Sequence, residues 1–332
     1  MLKYYLPVIP VLVKSPYSFR VRAQIPSEYN KNSKVINYLT DCNKDDIVVL
    51  AKKHTKEDVD YLISKNINYI FDVSDDKWDP QWGPEDEWNY TCKHAKHITT
   101  TCQRLKEKVI EYTGRKEITV IPDPTERPEE EAKFRVSGNM KLVYYGSHGN
   151  MKQIDWISEY KKILKKRPGT ELKVITNKPE GIPKVKKHPL WYKGISRDGE
   201  KALRKEMQIF FDNNIIDWTY GKQGSLVRES DLVVLPVNKD DHMTQCKGNN
   251  RPVDALRLGR FVITTPGCPS YENLKEYIWI GKNIVDGYLW AINNPEKVLW
   301  KIQAGQKHIR KFYTPEIIGN KWKELYENIS SH

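Results

Sequence analysis

Residues 247–274 read KGNNRPVDALRLGRFVITTPGCPSYENL, and this order of residue types dictates a helix that hands over to a buried strand. Asn250 is a favoured N-cap, Pro252 falls in the first turn where its missing N–H costs nothing, and Gly259 suits the C-terminal stop. The following run FVITT, residues 261–265, is apolar or β-branched throughout, the pattern of a strand covered on both faces. The helix N-terminus carries Arg251 and is preceded by Lys247, so free amides, the helix dipole and two cations together suit a diphosphate. Asp254, about one turn in, is placed to accept hydrogen bonds from ribose hydroxyls. The same letters also suit a plain capped helix, with Lys247 and Arg251 in water and Asp254 offsetting the dipole.

Outward from this segment, short apolar runs alternate with stretches of helical period along the whole chain. In the first half, strands are expected at residues 8–13, 46–50 (DIVVL), 69–73 (YIFDV), 97–101 and 118–121, with amphipathic stretches at 55–64 and 102–112. Residues 122–139, PDPTERPEEEAKFRVSGN, then break the alternation and read as an interdomain linker. Beyond them, strands are expected at 142–145, 172–176, 215–218, 232–235 and 261–265, and helices at 154–165, 199–211, 251–258 and 295–311. Parallel βαβ units, twice over, predict an α/β protein of two Rossmann-like doubly wound domains facing a cleft, residues 1–136 and 137–312. Residues 313–332 hold an amphipathic helix with Trp322, Leu325 and Tyr326 on one side, expected to cross back to the first domain.

The chain has 332 residues and a net charge of +12, and its 39% hydrophobic content excludes a disordered protein. Such a charge attracts phosphates, anionic headgroups or nucleic acid without choosing among them. The five cysteines, Cys42, Cys92, Cys102, Cys246 and Cys268, are odd in number and scattered without a CxxC, which argues for a reducing compartment. The opening MLKYYLPVIPVLV has the charge and apolar run of a signal peptide, but prolines interrupt it and no small-x-small cleavage site follows. A cytoplasmic protein is expected, with peripheral membrane contact left open and no obligate protein partner evident.

Three further loops carry candidate chemistry. In YYGSHGNMKQ, residues 144–153, Gly146 and Gly149 let the backbone approach a ligand and Lys152 opens the next helix, yet the spacing meets neither phosphate-loop fingerprint. An ordinary turn with a surface lysine is the alternative. In KSPYSFRVRAQIP, residues 14–26, Ser18, Arg20 and Arg22 either face the second domain across the cleft or lie on a helix with basic side chains in water. In FDVSDDKWD, residues 71–79, Asp72, Asp75, Asp76 and Asp79 either hydrogen-bond acceptor hydroxyls or cap the next turn. Nearby Trp78, Trp82 and Trp88 suit stacking on sugars as well as core filling. Cys92, His94, His97 and Cys102 match no common zinc spacing, and Asp240, Asp241 and His242 read as a solvated loop, so no metal is expected. No Gly-x-Ser-x-Gly elbow is present, which argues against covalent hydrolase chemistry.

NNRPVDALRLGRFVITTPGCPSYENL, residues 249–274, resembles the donor-binding core of GT4-like GT-B glycosyltransferases, with an acidic residue and Ala in a helix, then Gly, then a strand entering a Gly/Pro-rich loop. DIVVLAKKH, INYIFDVSDDKWD, AKHITTTCQRLKEKV and ITVIPDP are similar to the acceptor domain of bacterial and phage members. KLVYYGSHGN and ESDLVVLPVNKDD are similar to the start and the late strand of the donor domain, so nearly the whole chain is covered in order. By this resemblance Asp254 takes the place of the glutamate that binds ribose, and Lys152 that of the lysine that contacts the diphosphate. Ser147 stands where the family has Arg, and Cys246 where it has the first Glu of its E-x7-E pair, which moves phosphate neutralisation to Lys247 and Arg251.

The resemblance implies Arg251, Lys247 and Lys152 as the catalytic cations and Gly146, Ser147, His148, Gly149, Asn249, Asn250, Asp254 and Glu272 as the donor site. Arg20, Arg22, Asp75 and Asp76 fall on the acceptor side. It further implies a hexosyltransferase-type enzyme that moves a sugar from a UDP- or GDP-sugar to a hydroxyl of a saccharide, a lipid-linked glycan or a modified DNA base. Anomeric configuration is retained, and neither metal nor other cofactor is required. A sugar-nucleotide epimerase of the same fold and a basic nucleic-acid-binding protein are the alternatives, although Lys and Arg are spread among acidic residues rather than gathered in a stripe.

Overall fold

The computed structural model describes residues 1–5, 19–51, 54–78, 85–136, 138–146, 156–176 and 214–331. They form two parallel six-stranded sheets. In the first, β1 (Leu2–Tyr5), β2 (Ser33–Ile36), β3 (Ile47–Leu50), β4 (Asn68–Val73), β5 (His97–Thr100) and β6 (Ile118–Val120) pair in the order β2-β1-β3-β4-β5-β6. In the second, β7 (Lys141–Tyr145), β8 (Glu171–Thr176), β9 (Ile215–Asp217), β10 (Leu232–Val234), β11 (Phe261–Thr264) and β12 (Trp279–Ile280) pair in the order β12-β11-β10-β7-β8-β9. Helices α1 (Lys56–Ser64), α2 (Glu85–His94) and α3 (Gln103–Thr113) accompany the first sheet. With the second sheet run α4 (Trp156–Lys166), α5 (Tyr220–Glu229), α6 (Asn250–Arg257), α7 (Ile284–Asn293) and α8 (Pro295–Phe312), and α9 (Pro315–Ser330) closes the chain.

The first strand differs from the expectation. It lies at Leu2–Tyr5, while residues 8–13 fall outside the described residues. An apolar-run reading passes over LKYY because of its lysine. Lys3 is nevertheless buried, its ammonium held by the Asp46 carboxylate at 2.6 Å and by the Asp41 carbonyl at 2.5 Å. The expected helix at 199–211 also lies outside the described residues.

Both faces of the first sheet are covered. Val48, Leu50 and Phe71 pack with Leu105 and Val109 of α3 on one face, and Leu2, Tyr4, Val49 and Ile70 pack with Ile318 and Trp322 of α9 on the other. Trp322 meets Tyr4 edge-on at 5.6 Å between ring centroids and carries the Arg22 guanidinium at 5.3 Å over its own ring. The C-terminal helix is thus built into the first domain's core.

The connection between the sheets runs against α6. Glu130 N donates to the Arg257 carbonyl at 3.0 Å, Lys133 N to the Gly259 carbonyl at 3.1 Å, and Glu129 pairs with both Arg257 and Arg310. Gly259 has φ +72°, and a side chain there would start 2.1 Å from the Glu131 carbonyl oxygen, so glycine is demanded by conformation and by close approach alike. In each sheet the strand order reverses at one point, beside β1 and β3 in the first and beside β7 and β10 in the second. Crevices beyond the carboxyl ends of strands at such points are where open α/β sheets take ligands.

Candidate functional site

Helix α6 begins at the switch point of the second sheet. Its cap is Asn249 rather than Asn250: Asn249 makes no side-chain bond to the helix and donates its amide to the Tyr313 phenol at 2.8 Å, while Asn250 occupies the first helical position and its side-chain oxygen accepts from Arg251 N at 3.0 Å. Arg251 leans over the end of β7. Its Nη1 donates to the Tyr145 carbonyl at 3.4 Å, and the guanidinium sits beside the phenols of Tyr144 and Tyr271. Among the described residues no carboxylate is within ion-pair distance of it. A side chain on Gly146 would start 2.8 Å from the Tyr144 hydroxyl and 2.9 Å from Arg251 Nη1, so glycine keeps the approach to the guanidinium open. Ser147, His148, Gly149 and Lys152 lie outside the described residues.

Lys247 is half-buried, and burial first, then the charge of Arg251, pull its pKa below the ordinary lysine value. Its carbonyl accepts from the Ser270 hydroxyl at 2.6 Å, stitching the loop before α6 to the loop after β11. Beside that seam a cavity of about 350 Å³ is lined by Lys239, Gln245, Gly267, Cys268, Pro269 and Glu272. Gly267, one of the lining residues, has φ +126°, and a side chain there would start 2.4 Å from Lys239 Cα.

Asp254 faces the connection between the domains. It is 4% exposed, its Oδ1 accepts from Glu126 N at 3.4 Å, and burial, followed by the charge of Glu126, pushes its pKa up to about 8. Glu126 in turn takes a two-point grip from Arg20, at 2.6 and 3.2 Å. The Arg20 guanidinium lies 5.2 Å over the Tyr220 ring and 6.0 Å from that of Trp218, so Arg20 links the first domain, the connection and the second domain.

The other acceptor-side candidates separate. Arg22 is 1% exposed and committed to Asp72, with contacts of 2.6 and 2.9 Å, and to the Ile121 carbonyl at 2.5 Å. The expectation that it reaches across the cleft gives way to an internal ion pair, because its strand-end neighbour Asp72 is itself wholly buried and needs the charge. Asp76 is buried too; its Oδ1 accepts from Trp78 N at 3.2 Å and its Oδ2 lies 3.9 Å from the Cys246 thiol of the second domain. Asp75 is half-exposed and lies within electrostatic reach of Lys247 across the cleft. His97 and Cys92 are taken up structurally, the imidazole against the Thr119 hydroxyl at 2.9 Å and the thiol in the core.

The walls of the cleft meet where β5 and β6 end. Cys102 Sγ donates to the Cys246 carbonyl at 3.4 Å, and a side chain on Gly248 would start 3.7 Å from Thr101 Cβ and 3.9 Å from Asp123 Oδ2. Asp123 escaped the reading of the sequence, although it belongs to the ITVIPDP run at the end of β6. Tyr144, Tyr145 and Tyr271 escaped it as well, since apolar and aromatic letters in strands read as core.

No protein-family model matches the chain, and no curated protein matches it. Solved structures do. S. aureus TarM aligns with 86% of this chain at 13% identity and a TM-score of 0.60, and the chain spans 55% of TarM's length. Anabaena HepE in complex with UDP-glucose aligns with 98% of this chain and 99% of its own at 10% identity and a TM-score of 0.67. The pneumococcal O-GlcNAc transferase GtfA, in complex with UDP and GlcNAc, aligns with 87% of this chain and 58% of its own at 14% identity and a TM-score of 0.57. The fold is GT-B. In this GT-B chain the carboxyl ends of β4, β5 and β6 oppose the loop that opens α6, and among the described residues no helix is long and apolar enough to cross a membrane.

Proposed function

We propose that the protein is a glycosyltransferase of the hexosyltransferase type, which moves a sugar from a nucleoside-diphosphate sugar to an acceptor hydroxyl. The observation that carries this reading is Arg251, a guanidinium at a helix N-terminus in the interdomain cleft with tyrosines around it and no carboxylate partner among the described residues. Removing a cation from water without an anion costs free energy, and a bound diphosphate restores the balance. As the glycosidic bond breaks, charge grows on the leaving diphosphate; Arg251, Lys247 and the first amides of α6 are fixed beforehand to meet it. That HepE was solved with UDP-glucose and GtfA with UDP and GlcNAc supports a UDP-sugar as donor.

The chemistry we propose is retaining and metal-independent, of the GT4-like kind found in bacteria and phages. The acceptor's proton passes to a donor phosphate oxygen, the acceptor oxygen bonds to the anomeric carbon, and the bond pair of the old linkage leaves with the nucleoside diphosphate. The enzyme would work in the cytoplasm.

The test is a thermal-shift panel of UDP, GDP and their sugar conjugates with the full chain, followed by product analysis without acceptor. Stabilisation by one nucleotide series, absent in Arg251→Ala, is expected. An isomerised sugar formed without acceptor would instead make the protein an epimerase.

A further inference from the structure

We infer that the outer face of α8 is a docking surface for an anionic lipid bilayer, carried by Trp300, Phe312 and the row Lys297, Lys307 and Lys311. The helix turns Val298, Ile302, Gly305 and Ile309 into the second domain, so positions 297, 300, 304, 307 and 311, spaced three and four apart, line its opposite side. Trp300 is 61% exposed, the most of any large apolar side chain among the described residues, and Phe312 is 37% exposed. Lys297, Lys307 and Lys311 are exposed too, and none is within ion-pair distance of a carboxylate among the described residues. The helix carries five cations against the single acid Glu296. Two of the five are engaged elsewhere: Arg310 pairs with Glu129 of the connection, and Lys301 donates to the Glu276 carbonyl at 2.6 Å.

Charge and apolar surface are presented together on this face. The Lys311 ammonium lies 5.1 Å from the centre of the Phe312 ring, and Trp300 and Phe312 stand about 18 Å apart along the axis with Lys307 and Lys311 between them. Glu296 and Glu276, whose charge reaches Lys301 and His308, are acids at its margin, outnumbered by its lysines. Negative headgroups complement the lysines, each of which strengthens binding about fivefold when brought to an anionic leaflet, and the indole suits the headgroup level of a bilayer. A nucleic acid duplex supplies phosphates but no apolar layer to bury Trp300 and Phe312; a bilayer supplies both. The helix leads into Tyr313, whose phenol accepts from Asn249 at the cap of α6, so the docking face ends beside the candidate site.

Co-sedimentation of the full chain with vesicles of equimolar phosphatidylglycerol and phosphatidylcholine, and with phosphatidylcholine alone, tests the surface. The wild type is expected to bind the anionic vesicles, to release them as NaCl rises from about 0.1 to about 0.5 M, and to bind the neutral ones at least tenfold more weakly. The triple variant Lys297→Gln, Lys307→Gln, Lys311→Gln should melt at the wild-type temperature and bind the anionic vesicles at least tenfold more weakly. A triple variant with the same loss of charge at exposed lysines of the first domain, Lys93→Gln, Lys96→Gln, Lys116→Gln, should keep most of the binding. Quenching of tryptophan emission by brominated phosphatidylglycerol should fall to less than half in Trp300→Phe. No binding of a folded wild type to the anionic vesicles, equal losses in the two triple variants, or quenching unchanged in Trp300→Phe would overturn the surface. So would binding to duplex DNA, lost in the α8 variant, by a protein that leaves the vesicles alone.

Discussion

Tyr145 and Arg251 grip each other at two points: the phenol donates to the Arg251 carbonyl at 2.5 Å, and the guanidinium Nη1 donates to the Tyr145 carbonyl at 3.4 Å. The last residue of β7 and the first turn of α6 are locked together, and the charge is held in place before any ligand arrives. Preorganisation of this kind spares the reorganisation a mobile cation would need as the leaving group departs.

A charge kept ready in this way weighs on the empty protein. Arg251→Met removes a desolvated cation that has no carboxylate partner among the described residues and keeps most of the side-chain volume. The variant is expected to melt at or above the wild-type temperature without ligand and to lose the stabilisation that UDP gives, both read by scanning fluorimetry. A variant that melts well below the wild type would show that the guanidinium is structural.

Asp254 ties stability to pH. Its folded pKa of about 8 stands far above the unfolded value near 3.9. The folded chain therefore holds a proton that the unfolded chain has released, and the contribution of this group falls as pH rises from about 4 to about 8. Asp254→Asn keeps the neutral shape and cannot ionise. Relative to the wild type it should gain at least about 1 kcal/mol between pH 5 and pH 8, measured by urea unfolding at the two pH values. Parallel stabilities across that window would contradict the assignment.

The strands that read clearly in the sequence are those whose letters carry only one meaning. IVVL in β3 and FVIT in β11 are apolar throughout because both faces of each sheet are covered, and Gly259 reads as a stop because its backbone is left-handed. Lys3 hid β1, since the partners that make a lysine acceptable there, the Asp46 carboxylate and the Asp41 carbonyl, lie far along the chain. Arg22 and Asp72 are 50 residues apart, and nothing local tells a buried pair from two residues at a cleft. At α6, Asn249 and Asn250 are equally good caps in isolation; in the fold Asn249 takes the cap position, its amide bonded to the Tyr313 phenol from the segment before α9. The candidate site was legible where helix grammar alone defines it, around Arg251, and illegible where two domains must meet, around Thr101, Asp123 and Gly248.

The buried pair of Arg22 and Asp72 is expected to couple tightly. Asp72→Ala strands the guanidinium and leaves the Thr99 hydroxyl, which donates to Asp72 at 2.7 Å, without its acceptor. A loss of about 3–5 kcal/mol in urea unfolding is expected. Arg22→Met combined with Asp72→Leu removes both charges and should recover much of that loss, giving a double mutant more stable than Asp72→Ala. Additive losses would mean that the two residues act separately.

Cys246 holds the place of a glutamate in the resembling family, and the structure explains why restoring the carboxylate is expected to fail. The residue is 1% exposed, packed into the first domain's core with its thiol 3.9 Å from Asp76 Oδ2. Cys246→Glu would place a second carboxylate beside the first with little water to separate them, and one of the two would have to take up a proton. The raised pKa of the new acid means that its destabilisation grows as pH rises. A drop of a few kcal/mol at pH 8 is expected, smaller at pH 4, with no gain in sugar transfer. Cys246→Ser, whose hydroxyl can still donate to Asp76, should stay close to the wild type. A Cys246→Glu protein that is fully stable at pH 8 would show that the cleft opens here far enough to hydrate both acids.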